Sequence, residues 1–344
     1  WNIDGSGNWS SGTNWTSGAV PNGVNHIANF GTIITSSCTV TVDGPQWVGN
    51  INFFSAPSYT IAGPGTLTVD LSSGTAGINV GLGTHVIAAP VILNDDAMIN
   101  VAPGAALVLS GPFKATGRSI TKAGGGSVQF EQVRAAALNV AGGSAIISTK
   151  AVANSPAGTS RLNNLGIATG ARLDLNNNSL ILDGGSLATV TASIKSALEN
   201  GGNFDWLGPG IGSTQANVQN TTAGSFLYGL GVVLNDLSQV GGTGPIYTDF
   251  AGISGLVGNE VLVKFTYFGD ADLSGSIDAT DYSLIDNGYV NSLTGWLNGD
   301  FDYSGSIDAT DYALIDNAYV NQAGPLAEAL IAEHAGEIWR KYKG

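Results

Sequence analysis

From residue 50 to residue 185 the chain repeats one local pattern: a short apolar run, then a turn rich in Gly, Asn or Asp. The runs include "YTIAG", "GTLTVD", "AGINV", "ALVLSG", "GSVQF", "SAIIST" and "SLILD". They are too short for helices and carry the β-branched residues that suit a pleated surface. The chain must therefore fold into many short strands joined by tight turns. With 50 Gly it is turn-rich, and with 43% apolar residues it has enough material for a core, which excludes disorder. Evenly spaced strands admit a sandwich, a barrel or a solenoid. Long hairpin signals are missing and the pattern has no midpoint, so the expectation is a parallel β-helix with a continuous aliphatic core. A β-sandwich is the alternative.

Charge narrows the partners. The net charge is −14, with an isoelectric point near 4.3. No basic patch exists to neutralise phosphates, so nucleic acid is not a partner, and anionic membrane surfaces fit no better. No apolar run reaches the roughly 20 residues of a membrane-spanning helix. The single cysteine, Cys38, excludes an internal disulfide. The chain opens at Trp1 rather than Met, as after removal of an export signal or after trimming. A secreted or surface-associated protein is expected.

Four segments are expected: an aromatic cap or assembly segment over 1–49, a β-solenoid over 50–260, a calcium-binding domain over 261–321 and an amphipathic helix over 322–344. In the first, "WNIDGSGNWSSGTNW" carries Trp1, Trp9 and Trp15, which either stack on glycan rings or cap the strand edges. Capping is the expectation. Trp206 in "FDWLGPGIG" poses the same choice between sugar platform and core. Within the second segment, residues 188–200 form the one expected helix, with Ile194, Ala197 and Leu198 on one face and Gly201–Gly202 at its end. In the last, Leu326, Leu330, Ile331, Ile338 and Trp339 supply the apolar residues.

The acidic charge is concentrated. Residues 270–316 hold ten Asp and no Lys or Arg. They contain two near-copies, "GDADLSGSIDATDYSLID" and "GDFDYSGSIDATDYALID", thirty residues apart. Counted from Asp270, the first has Asp272 at position 3, Ser274 at 5, Gly275 at 6, Ser276 at 7, Asp278 at 9 and Asp281 at 12. The second repeats this as Asp300, Asp302, Ser304, Gly305, Ser306, Asp308 and Asp311. This is the oxygen-ligand spacing of an EF-hand loop. Side chains at 1, 3, 5 and 12, the carbonyl at 7, and position 9 directly or through water surround a calcium-sized cation. Glycine at 6 permits the turn. Two calcium ions are expected. The absence of His or Cys nearby argues against zinc. Asp in place of the usual Glu at position 12 leaves the affinity open.

A strand, "EVLVKFTY", leads into the first loop, and each loop runs into a short helix. This loop–helix pair resembles a type I dockerin over residues 269–321. That resemblance implies calcium-dependent folding and, as a possible partner, a cohesin-like protein. Where dockerins carry their recognition pair, this chain has Ala279–Thr280 and Ala309–Thr310. More loosely, "GNWSSGTNWTSGAVPN", "ITKAGGGSVQF" and "VLVKFTYFGDADLSG" are similar to exported bacterial surface proteins with autotransporter-associated β-strand repeats. That likeness implies a secreted, right-handed parallel β-helix. The C-terminus departs from it, ending without a sorting signal or a barrel.

No catalytic constellation is legible. The acidic pair Asp95–Asp96 points to opposite faces of a strand. His26 and His85 are isolated, and Arg118, Lys122 and Arg134 fall on separate strands. Asp174 and Asp183 carry no mark beyond that of turn residues. An enzyme is therefore not expected, although many polysaccharide lyases and hydrolases are β-helices. The sequence points to a secreted, calcium-stabilised structural protein that assembles into homo-oligomers or filaments. The alternative is a carbohydrate-binding or polysaccharide-degrading protein targeted through the dockerin-like module.

Overall fold

The computed structural model describes residues 1–326. Of the helix expected over 322–344, everything from residue 327 onward lies outside the described residues. Two large sheets dominate the remainder, one of nine strands and one of thirteen. Helices come late: α1 (Leu187–Leu198), α2 (Thr214–Ala223), α3 (Ala279–Val290) and α4 (Ala309–Asn321).

In both large sheets, adjacent strands are not consecutive in the chain. In the nine-stranded sheet, Cys38–Thr41 pairs in parallel with Tyr59–Ala62, and Thr84–Ile87 pairs in parallel with Ala106–Leu109. The thirteen-stranded sheet starts in the same way, with Ile27–Phe30 parallel to Asn50–Phe54. The eleven-residue strand Phe113–Ala123 serves three neighbours, with Phe113 opposite Val91, and Ile120 between Ala97 on one side and Leu138 on the other. Alternation fixes each register: Ala97, Ile99 and Val101 are buried while Met98 and Asn100 are exposed. Glycine permits close backbone approach at the turns. A Cβ on Gly143, at φ 61°, would lie 2.1 Å from the carbonyl oxygen of Gly126.

This corrects the expected right-handed parallel β-helix followed by a small α-helical domain. The strands form large sheets rather than a uniform solenoid, and the larger sheet is mixed. Its far end is antiparallel: Val261–Tyr267 runs against both Leu180–Leu182 and Tyr228–Leu234. The strand that feeds the acidic loops is thus an inner strand of this sheet. The alternative sandwich is not formed either, since its two sheets would be antiparallel, whereas the strands here pair mainly in parallel. Short glycine-punctuated runs fix strand length and turn position, but not how strands are shared among sheets.

The chain divides into two compact units. The first comprises Trp1–Ser148 with Leu162–Leu173. Its N-terminal tryptophans are buried core. Trp9 and Trp15 lie 5.0 Å apart, and Trp9 and Phe30 lie 5.7 Å apart, both edge to face. Trp9 Nε1 donates to Pro21 O and Trp15 Nε1 to Trp9 O, so their polar ends are satisfied. The rings are therefore unavailable for glycan stacking. The aromatic column continues through Phe53 to His85, whose ring stacks 4.6 Å from Phe53.

His85 is a buried, neutral side chain. Its Nδ1 accepts from the Tyr59 N–H at 3.0 Å, and its Nε2 faces Leu82 O at 2.9 Å. Burial holds its pKa below the usual 6.5. Protonation would remove the acceptor of the Tyr59 N–H. A depressed histidine pKa means that the unfolded chain takes up the proton first. His85 therefore costs no stability well above pH 6.5 and costs increasing stability as pH falls through that value. Urea unfolding of His85→Gln at pH 7.5 and 5.5 checks this. The substitution should lower stability at pH 7.5 by about 1–3 kcal/mol and should narrow the gap between the two pH values.

The second unit comprises Thr149–Arg161 and Asp174 onward. Every residue of Val261–Tyr267 is buried, on both faces of the sheet. Helix α1 begins one residue before the expected helix and buries Ile194, Ala197 and Leu198 as its periodicity requires. Helix α2 is an addition that apolar periodicity does not reveal. Its only markers are the Ser213 N-cap and Gly224 at φ 67°. Trp206 is fully buried beside Phe268, at 5.9 Å, and is core rather than a sugar platform.

Candidate metal centre

Both acidic loops belong to the second unit, and each gathers three carboxylates. Ligand atoms from Asp270, Asp272 and Asp281 lie within 4.8 Å of one another, as do those from Asp300, Asp302 and Asp311. These are positions 1, 3 and 12 of each loop. The local chain places them. In the first loop Asp281 Oδ1 accepts from the Ala271 N–H at 2.7 Å and Oδ2 from the Asp278 N–H at 2.8 Å. In the second, Asp311 accepts from Phe301 and Asp308 at 2.7 and 2.9 Å. The twelfth residue thus closes each loop onto its own start.

The other expected ligands are also placed. Ser274 Oγ lies 3.2 Å from Asp270 Oδ1 and donates to Ser276 O at 3.1 Å, which brings positions 1, 5 and 7 together. Ser304 donates to Ser306 O at 3.0 Å in the same way. Asp278 and Asp308 stand apart from the carboxylate clusters. Each is exposed and caps a helix, accepting from Thr280 N and Thr310 N at 2.7 Å. Position 9 of such a loop reaches its cation directly or through water. Gly275 and Gly305 have φ of 100° and 95°, a region that strains residues bearing a Cβ.

The two loops pack reciprocally. A Cβ on Gly269 would lie 2.5 Å from Ile315 Cγ1, and one on Gly299 would lie 2.5 Å from Ile285 Cγ1. Tyr282 donates to Asp316 and Tyr312 to Asp286, each at 2.7 Å. Ile285 and Ile315 are therefore buried within the pair. The large apolar residues left exposed on α3 and α4 are Tyr289, Val290, Tyr319 and Val320.

The first loop is also fastened to the sheet. Thr266 Oγ1 hydrogen-bonds Asp270 Oδ2, and Lys264 Nζ donates to Leu273 O at 2.6 Å. Tyr247 donates its hydroxyl proton to Asp272 O, and Trp296 Nε1 donates to Asp270 O at 2.7 Å. Gly231 leaves room for this docking, since a Cβ there would lie 2.5 Å from Leu273 Cδ2 and 2.7 Å from Trp296. These supporting residues are missed by motif spacing. Only Lys264 left a trace, as the lone charge inside a strand of apolar residues.

Compared with known proteins, the chain matches no family, no curated protein and no solved structure.

The donor set fits a hard cation. Each cluster offers oxygen alone, from carboxylates that burial penalises when they are charged. Burial pushes Asp270 up to about 7 even though Lys264 opposes the shift. Asp281 is raised well above 3.8 by burial and by the charges of Asp272 and Asp270. Burial also pushes Asp311 up to about 6. A divalent cation removes both penalties.

The sign of the pH dependence follows. Without metal, these groups hold protons more tightly when folded than when unfolded. Their protonated form favours folding at low pH, and that contribution is lost as pH rises from 3.8 through about 7. In chelator, the transition reported by the loop-bound Trp296 should therefore come at higher temperature at pH 5 than at pH 7.5. With excess calcium the order should invert, because the cation competes with protons for the same oxygens.

Proposed function

We propose that this protein is a secreted, non-enzymatic structural module whose acidic tail is ordered by two calcium ions. One observation carries the reading: two loops thirty residues apart each bring three carboxylates within 4.8 Å at equivalent positions. Asp270, Asp272, Ser274, the Ser276 carbonyl, Asp278 and Asp281 are the proposed ligands of one ion. Asp300, Asp302, Ser304, the Ser306 carbonyl, Asp308 and Asp311 are those of the other. An extracellular site agrees with this chemistry, since free calcium outside cells is high enough to load even weak loops.

Self-assembly is the finer part of the proposal. Tyr289 and Val290 near the end of α3, and Tyr319 and Val320 near the end of α4, are exposed apolar residues on helices that follow directly from the loops. A neighbouring copy of this chain, or the cohesin-like partner implied by the dockerin-like resemblance, would pack there. No helix among the described residues is long and apolar enough to cross a membrane.

A second reading, glycan binding, rests on a different feature. A cavity of about 280 Å³ is lined by Phe204, Asp205, Asn217, Thr221 and Phe226, with the two phenylalanine rings 5.0 Å apart. Asp205 already accepts from Leu207 N and Asn200 Nδ2. A glycan array separates this reading from the first.

Titration calorimetry of chelator-stripped protein tests the main reading. Two calcium ions per chain should bind, and zinc should bind no tighter. Calcium at one hundred times its dissociation constant should raise stability by about 2.7 kcal/mol for each site. Asp281→Ala with Asp311→Ala should abolish that gain, and negative-stain images should show any polymer loosening in the double variant as it does in chelator. Fewer than two sites would refute the assignment.

A further inference from the structure

Each acidic loop has a lysine amine on the carbonyl oxygen of its fourth residue, and the two lysines come from unrelated elements. Lys264, in the strand Val261–Tyr267, donates to Leu273 O at 2.6 Å. Lys195, in α1, donates to Tyr303 O at 2.8 Å. Leu273 and Tyr303 have φ of 62° and 60°, a conformation costly for residues with a Cβ. An amine on the following carbonyl oxygen helps to hold that turn.

The two arrangements differ in their surroundings. Lys264 is 6% exposed, and Asp270, Asp272 and Asp281 are all buried. A Cβ on Gly275 would lie 3.2 Å from Lys264 Nζ, so the amine sits against the sixth position of the loop. Its counterpart Gly305 opens onto empty space. The Lys195 side chain is 36% exposed and pairs with Glu199 at 3.6 Å. In the second loop, Asp302 and Ser304 are also less buried than Asp272 and Ser274.

We propose that Lys264 is a resident counter-cation of the first loop, holding the empty loop in shape and lowering its calcium affinity, whereas Lys195 only tethers the second. The inference rests on the calcium reading above. A charge that cannot reach water interacts strongly with its neighbours, because no solvent screens it. Lys264 therefore compensates the buried carboxylates when no metal is present, and it repels an arriving dication. Burial lowers its own pKa, while Asp270 and Asp272 work against that shift. Lys195 can turn to solvent, and Glu199 already shares its charge. The two loops, near-copies in sequence, should then differ in affinity.

Calorimetry with calcium chloride on the full chain tests this. Lys264→Gln keeps an N–H for Leu273 O and removes the charge. It should tighten one site by about tenfold, equivalent to about 1.4 kcal/mol, and leave the other within about threefold. Lys195→Gln should move neither site beyond about threefold, since exposed charges are screened. A merely structural Lys264 would give the opposite result, weaker binding in Lys264→Gln, and that outcome overturns the proposal, as does no change. Amide exchange of wild-type protein in chelator gives a test without a variant. The N–H groups of Ala271, Gly275 and Asp278 should exchange more slowly than those of Phe301, Gly305 and Asp308. Equal exchange overturns the proposal. If Lys264→Gln fails to fold in chelator, recovery on adding calcium supports it, and without recovery the exchange comparison decides. Wild-type protein that takes up no calcium refutes the calcium reading instead, and the exchange comparison still tests Lys264 as the compensating charge.

Discussion

The strand Val261–Tyr267 is the constraint on which the second unit depends. It is buried on both faces and pairs antiparallel on both sides. Because side chains alternate along a strand, Lys264 and Thr266 share one face, and both reach the first acidic loop. The loop is thus held by an element that cannot move without breaking the sheet. Burying a lysine is costly, and it is tolerated here because the loop supplies a carbonyl acceptor and nearby carboxylates. The chemistry of the loop and the order of the sheet are parts of one arrangement.

Reciprocity extends that hold to the second loop. The glycine leading into each loop lies against the isoleucine of the other loop's helix, and each helix's first tyrosine bonds to an aspartate on the opposite helix. Neither loop has its own complete core, so a pair is the smallest unit that buries Ile285 and Ile315. The pair is nevertheless not symmetric in its surroundings. The strand face buries the first loop, while the second reaches α1 through an amine that solvent also touches. Equivalent carboxylate spacing therefore does not give equivalent surroundings.

The first unit depends on a different kind of interaction. Its aromatic column from Trp9 to His85 fills the interior beside the N-terminal strands, and every polar ring atom named there has a backbone partner. That satisfaction separates a buried tryptophan from a binding platform. The same residue types would serve either role, and exposure decides between them.

The sequence by itself determined the local features. Spacing placed Asp270, Asp272 and Asp281 on one loop, glycine at the sixth position admitted the turn, and alternation in runs such as Ala97–Val101 gave the strands and their buried faces. Those features depend on neighbours a few residues away, so they are legible along the chain. Tertiary structure alone decided the rest. It gathered the strands into two large sheets instead of a uniform solenoid, made Val261–Tyr267 an inner antiparallel strand, and brought Lys264 and Lys195 to corresponding carbonyls on two loops. The physical reason is that sheet membership and charge compensation are set by partners remote in sequence. Lys195 and Tyr303 are 108 residues apart, and no local pattern records that they meet.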